Sequence, residues 1–260
     1  MVVDLSLRDD VDNGYSSQSQ VARVLTEGWF AREGYCLRCL SPHVGRMANN
    51  TRVVDFRCVD CGEPYQLKSR KSPIRSVVAD GAYRTFQTAV EQGNAPNLLL
   101  LHYSHPDLTV KDFFGIHRKL LSPLSIVKRK PLSETARRAG WVGCNIDLHA
   151  IPPGARIPIV IDHVAVPARI VQVQWQRYSS LIEEERVGEQ GWLRDILACI
   201  QKTDTKDFHL DDIYAFENDL GQLHPVNRNI RPKIRQQLQI LVRQGIIERV
   251  EAGVYRKKPA

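Results

Sequence analysis

Tyr35-Cys36-Leu-Arg-Cys39 and Val53-Val-Asp55-Phe-Arg-Cys58-Val-Asp-Cys61, followed at once by Tyr65-Gln66-Leu-Lys68, form the stretch on which the reading of this chain turns. Two Cys-x2-Cys pairs stand eighteen residues apart. Thiolates are soft ligands, and the two-residue gap lets each pair fold back on one ion, so four of them can close a tetrahedron around zinc. Full thiolate coordination leaves no open position, which makes Cys36, Cys39, Cys58 and Cys61 the expected ligands of a structural zinc. The blander alternative, buried free cysteines or a redox couple, does not require two pairs. Cys144 and Cys199 have no partner at metal spacing and read as core residues.

Residues 53–57 and 65–68 read as two strands joined through the second cysteine pair. Residues two apart on a strand share a face, so Gln66 and Lys68 point the same way, and hairpin pairing can bring Asp55 beside them. A carboxylate holding Mg, a second oxygen ligand and a lysine beside the scissile phosphate form a workable hydrolytic set. By itself the pattern is weak, because any solvated strand face with a lysine two residues after a glutamine looks the same.

Around this centre the chain divides into two expected domains, 1–183 and 184–260, with the charged stretch Glu183-Glu-Glu-Arg-Val-Gly-Glu-Gln-Gly191 as linker. Residues 1–16 are polar and read as frayed. Residues 18–32 and 77–92 read as amphipathic helices, and 97–103 and 155–161 as strands, giving an α/β first domain. In the second, helices over 192–201, 210–220 and 226–243 precede β-like runs at 246–250 and 254–257. Three helices and a two-stranded ribbon make a winged helix. Pro232 moves the start of regular turns in the third helix towards Arg231, and Gly245 ends it.

At 260 residues with 43% apolar composition the chain can bury a real core. The net charge of +7 and nine Lys or Arg against two acids from Val226 onward fit an anionic partner. No apolar run approaches the ~20 residues of a membrane span. With no signal-like N-terminus either, the expectation is a cytoplasmic protein that does not engage membranes.

Several blocks carry a resemblance. They are Tyr35-Cys-x-x-Cys39, Val54-Asp-Phe56, Leu67-Lys-Ser69, Asp80-Gly-Ala-Tyr83, Thr135-Ala-Arg-Arg-Ala-Gly-Trp-Val-Gly-Cys-Asn-Ile-Asp147 and Arg235-Gln-Gln-Leu-Gln-Ile-Leu241. Together, in this order, they resemble the DpnI-type, or Dam-replacing, restriction endonucleases. The resemblance implies a PD-(D/E)xK nuclease core with a four-cysteine zinc site, followed by a winged helix. It implies a type II methyl-directed restriction endonuclease that uses Mg (or Mn) to cut double-stranded DNA at GATC carrying 6-methyladenine; the chain itself is expected to be monomeric at rest. Asp55 then matches the metal-binding aspartate and Lys68 the lysine. Gln66 departs from the family's Glu, and Val54 replaces the motif's leading Pro. Glutamine keeps a ligating oxygen but loses a charge that hard cations prefer, so metal affinity should fall. Glu27 on the first helix is a further carboxylate for the catalytic Mg.

Trp141, beside Arg137 and Arg138, can pack on a base or its methyl while the arginines hold phosphate; a core tryptophan is the competing reading. Burying one methyl is worth roughly 0.8 kcal/mol, about a fourfold preference, so sharp discrimination needs both domains to read the site. In the winged helix, Asn227, Arg228, Asn229 and Arg231 lie where base contacts are usual, and Lys233 and Arg235 would hold phosphate. The alternative to a nuclease is a non-catalytic methyladenine-DNA reader or regulator with a lapsed site. A transcription factor with no nuclease ancestry is a third class.

Overall fold

The computed structural model describes residues 3–7, 17–48, 51, 53–183 and 191–258. The linker expected at 183–191 and the stretch 8–16 lie almost wholly outside these residues. Residues 3–7 are not frayed: Leu7 donates to Leu108 O at 2.6 Å, Val110 donates to Leu5 O at 2.8 Å, and Leu7 is buried.

The first part of the chain runs α1 (Gln18–Glu33), β1 (Val44–Arg46), β2 (Phe56–Cys58), β3 (Pro64–Arg70), β4 (Val77–Ala82), α2 (Tyr83–Glu91), β5 (Asn97–Ser104), β6 (Thr109–Ile116), β7 (Ile126–Lys128), β8 (Gly143–Asp147), β9 (Ile157–Ile161), β10 (Val164–Ala165) and α3 (Ala168–Glu183). The second comprises α4 (Trp192–Lys202), β11 (Asp207–His209), α5 (Leu210–Tyr214), α6 (Glu217–Leu223), α7 (Ile230–Arg243), β12 (Ile247–Glu251) and β13 (Val254–Lys257).

Among the described residues, a seven-stranded sheet runs β1-β2-β3-β5-β6-β9-β10. Its one parallel pair is β3 with β5. The apolar run of β5 lies at the centre with seven of its eight residues buried, as a strand covered on both faces should. On one face α1 inserts Trp29 and Phe30, whose rings meet Phe113 at 5.4 and 5.8 Å, with Phe30 also 4.9 Å from Phe56. Edge-to-face aromatic pairs of this kind add to plain area burial. Trp175 of α3 packs against Tyr65 at 6.4 Å.

The crossover from β3 to β5 carries β4 and α2, and β4 joins β7 and β8, which follow β6, in a second sheet ordered β4-β8-β7. The helix expected over 77–92 is therefore half strand. Residues 77–82 alternate in burial, with Val78 and Asp80 inward, and pair antiparallel with β8; helix begins only at Tyr83. Period-2 burial on a β-branched start overrides the helical pattern further on.

The C-terminal elements form a helix-turn-helix with a three-stranded wing ordered β11-β13-β12. The helix expected over 210–220 is broken into α5 and α6, and β11 joins the ribbon as an additional strand. Gly245 follows α7 with φ of +70°, a conformation favouring glycine. Helix α4 is buried along almost its whole length. It packs on α7 and on the turns Pro123–Ser125 and Leu148–Ala150 of the first part, and Arg194 Nη1 donates to Val90 O at 2.9 Å. No described helix is long and apolar enough to cross a membrane.

His117 caps the turn Arg118–Leu120, its Nδ1 accepting from the Lys119 N–H at 3.2 Å. Burial, helped by the charges of Lys119, Arg118 and Arg38, pushes its pKa from 6.5 down to about 3. The folded chain thus keeps this ring neutral, while the unfolded chain protonates it below about pH 6.5. Between those values the unfolded state binds more protons, so stability is lost as pH falls. At about pH 5.5 the loss is about 1.4 kcal/mol. His117→Asn keeps a capping acceptor without the titration, and its melting temperature should fall less steeply between pH 7.5 and 5.5, by about that margin, in a thermal scan.

Candidate active site and cysteine cluster

The four cysteines Cys36, Cys39, Cys58 and Cys61 place their sulfurs within 4.8 Å of one another. Cys36 and Cys61 are 3.5 Å apart and Cys39 and Cys58 3.6 Å. Four sulfurs about 2.3 Å from one centre in a tetrahedron lie roughly 3.8 Å apart, so the cluster can hold a metal such as zinc. Cys58 ends β2, and Cys61 follows in the turn leading to β3. Tyr65 hangs the first pair on the sheet, its hydroxyl 3.2 Å from Cys36 Sγ and accepting from the Leu37 N–H at 3.0 Å. Glu63 faces this side, accepting from Asn97 Nδ2 at 2.8 Å and lying near Arg38 and Arg118.

On the same hairpin β2 and β3 pair antiparallel, Phe56 opposite Tyr65. Asp55 sits one residue before β2. Its N–H donates to Tyr65 O, and its Oδ2 accepts from the Leu67 N–H, both at 2.9 Å. Gln66 and Lys68 do share a face, since Gln66 Nε2 and Lys68 Nζ both donate to Asp80 Oδ1, the former at 3.2 Å. Burial pushes the Asp55 carboxyl upward. The Leu67 hydrogen bond and the Lys68 charge pull it down, and the charges of Glu27 and Asp80 push it up again. Asp55, Lys68, Asp80 and Glu27 therefore lie in one electrostatic neighbourhood.

Glu27 is brought there by α1, whose Thr26 hydroxyl bonds Ser69 of β3 at 2.9 Å. Its carboxylate is engaged by arginines, one oxygen by Arg46 and the other by Arg23 at 3.7 Å. That makes it a poorer candidate for a metal than its sequence position suggested. Among the described residues only the cysteines, and no set of three carboxylates, fall within metal-holding distance of one another. Gln66 Oε1 and Asp80 Oδ2 are buried and have no hydrogen-bond partner among the described residues. Buried polar oxygens in this state are costly unless something else binds them.

Asp80 is the residue that sequence reasoning passed over. It stood in a block carrying the resemblance, but it was given no role. The available signal was an acid at an inward position of an alternating strand.

Trp141 belongs to the hairpin between β7 and β8, the strand β8 being the partner of β4. It is half-buried and is not a core residue. The Arg138 guanidinium lies 4.8 Å from its ring centroid, while Arg137 and Arg138 are exposed. A Cβ on Gly143 would stand 2.9 Å from two carbons of the Trp141 ring, so glycine is what lets the ring lie there.

In the C-terminal domain α7 begins at Ile230, so Asn227, Arg228 and Asn229 lie in the preceding turn, where Asn227 Oδ1 accepts from the Asn229 N–H at 2.8 Å. Arg228, Asn229, Arg231 and Arg235 are exposed. Arg231 is bound to Glu217 at 2.8 Å and stacks over Tyr214, and Arg235 donates to the Tyr214 hydroxyl at 2.7 Å. Lys233 is not on the outer face of α7: it is 7% exposed, on the inner side with Ile234 and Gln237, and lines a cavity that Asn227, Arg228 and Asn229 also line.

Residues 3–184 match the family model described as the Dam-replacing family, DpnI, and residues 188–257 match that of the Dam-replacing helix-turn-helix domain. The second match indicates DNA binding. Spanning nearly the whole described chain, the two matches establish that this protein belongs to the Dam-replacing (DpnI) family.

Proposed function

We propose that this chain is a type II, methyl-directed restriction endonuclease that cuts double-stranded DNA at GATC bearing 6-methyladenine. Its first domain, 1–183, would be a PD-(D/E)xK core clamped by structural zinc, and 184–260 its winged-helix reader. Family membership points to an endonuclease, and the exposed basic edge of α7 suits a phosphate backbone. The observation that carries the reading is the convergence of Asp55, Gln66 and Lys68 on one clamped hairpin, with the buried carbonyl oxygen of Gln66 lacking a partner.

The donor set fits a hard divalent cation: Asp55 contributes an anionic oxygen and Gln66 a neutral one. Magnesium held there supplies Lewis-acid polarisation of the phosphoryl oxygen and a more acidic water. Asp55 is anchored by the Leu67 N–H, close enough to Lys68 for the ammonium to pull its carboxyl downward. Lys68 stabilises the negative charge that builds on the phosphate during attack. Trp141, with Arg138 behind it, offers a flat apolar surface for a methylated base, and Arg228, Asn229, Arg231 and Arg235 offer donors to the major groove. The protein would act as a cytoplasmic monomer.

A non-catalytic methyl-DNA reader is favoured by one observation, the neutral Gln66 where the family carries an acid. One assay decides between the two. Plasmid methylated at GATC adenines, and the same plasmid unmethylated, are incubated with the protein in Mg and in Mn. Cutting of methylated plasmid alone is expected. Gel retention of methylated DNA with no cutting in either metal would leave the reader. Trp141→Ala is expected to narrow the rate ratio between the two plasmids by about fourfold, one methyl's worth of burial.

A further inference from the structure

We propose that Asp80 is a positioning residue of this site: its carboxylate sets the orientation of the Gln66 amide and holds the Lys68 ammonium, so the acid that Gln66 lacks is supplied from β4. The inference rests on the endonuclease reading above and assigns a role within that site.

One oxygen, Asp80 Oδ1, accepts from both Gln66 Nε2 and Lys68 Nζ. An ionised carboxylate has no proton to give, so only the nitrogen end of the Gln66 amide can meet it. That contact turns Gln66 Oε1 to the opposite side, where it is buried without a partner among the described residues and open to coordination by a cation. The amide orientation, ordinarily ambiguous, is here fixed by the chemistry of its neighbour. The Asp80 side chain is 1% exposed and that of Lys68 23%, so the carboxylate is enclosed while the lysine it holds keeps partial access to solvent, from which a phosphate would arrive.

The backbone gives the reason Asp80 points inward. The β4–β8 register slips between Asp80 and Ala82, a bulge that leaves Gly81 unpaired, and Cys144 Sγ lies 3.6 Å from the freed Gly81 carbonyl. Bulges bend a strand and re-aim the side chains beside them. Asp80 sits opposite Cys144 on β8, three residues from Trp141, so the strand that would carry the methyl-reading hairpin pairs directly with the strand whose Asp80 holds Gln66 and Lys68.

The test uses the full chain with Asp80→Asn, Asp80→Glu, Lys68→Ala and the double variant Lys68→Ala/Asp80→Asn. Single-turnover cleavage of a methylated duplex is measured at saturating DNA across a Mg titration. Binding of the same duplex is measured in Ca, and melting temperature without DNA or metal. Asp80→Asn is expected to cut at least tenfold slower and to need several-fold more Mg, with DNA affinity within threefold of the parent. Its amide can meet Gln66 in either sense, so the glutamine oxygen is no longer held towards the cation. Asp80→Glu keeps the charge and guards against a folding failure. It is expected to melt close to the parent yet cut at least threefold slower, because its carboxylate stands one methylene further out. The double variant should melt above Lys68→Ala alone, since it removes the buried charge that the single variant strands. Parental cutting and Mg dependence in Asp80→Asn or Asp80→Glu, with or without thermal coupling, would overturn the positioning role. Additive melting shifts would overturn the pairing. A parent that binds methylated DNA and cuts in neither metal defeats the endonuclease reading instead, and the thermal cycle still reports on Asp80.

Discussion

Lys68→Ala is expected to lower the single-turnover rate of cleavage of methylated DNA by roughly a hundred- to a thousandfold, the usual effect of removing one preorganised charge donor from a reacting oxyanion. Among the described residues around the site, no other cation stands in for this lysine at Asp80 Oδ1. Arg46 and Arg23 are committed to Glu27, and neither Asp55 nor Gln66 can supply a positive charge. Affinity for the methylated duplex in Ca should change little, because the helix-turn-helix and the Arg137–Arg138 hairpin are separate from β3. The substitution also carries a stability cost. It leaves Asp80 buried beside a neutral side chain, and roughly 3 kcal/mol is expected, the low end for breaking a buried pair because Lys68 keeps some solvent. Rates must therefore be compared well below the lowered melting temperature. Asp55→Asn is the companion variant: Leu67 keeps an acceptor, so the fold is retained, while the anionic ligand is gone. Cleavage in Lys68→Ala within threefold of the parent would remove the lysine from the chemistry.

Much of this site could be read from the chain because it is local. The cysteine spacing, the hairpin between the second pair and Lys68, and the shared face of Gln66 and Lys68 are all set within a few tens of residues, where strand period and turn chemistry decide. The central strand β5 was legible for the same reason, as a run of leucines too apolar for an edge. Asp80 was not, because its role comes from pairing with Cys144 and from the bulge at Gly81, and nothing near residue 80 announces β8. The helix expected from residue 77 shows the same limit, a local period overruled by a distant strand. Lys233 was misplaced by phase. With α7 starting at Ile230, positions 233, 234, 237, 238 and 241 form its inner stripe, so a lysine one step from Ile234 turns inward while Arg235 turns out. The arrangement of α4, shared between the two parts of the chain, was also hidden, since an apolar helix does not say which of two bodies it faces.

With zinc in the cysteine cluster, as proposed, its removal should be the most disruptive perturbation of all. Cys36 and Cys39 sit on the connection after α1, Cys58 at the end of β2 and Cys61 in the turn beyond it, so a shared ion would clamp the connection to the hairpin in addition to the β1–β2 pairing and the Tyr65 and Glu63 contacts. A structural zinc contributes about 10–16 kcal/mol of binding free energy in small thiolate sites, comparable to the whole stability of a domain. Asp55 lies three residues before Cys58 and is anchored by Leu67 beyond Cys61, so its place depends on the turn that the cluster closes. Cys58→Ser is therefore expected to lower the melting temperature by more than about 10 °C, since a few kcal/mol moves a domain of this size by several degrees each. Stoichiometric release of zinc from the parent by a thiol-modifying reagent, read with a chromogenic chelator, should come to one ion per chain. Cutting should be lost with release even in excess Mg, and it should return when zinc is restored to reduced protein. If the released protein kept its melting temperature and its activity, the cysteines would be bystanders and the geometry of Asp55 would need another support. Loss of both on release would instead mean that Mg and zinc act on the same hairpin by different routes: one through the oxygens of Asp55 and Gln66, the other through the sulfurs that hold those residues where they are.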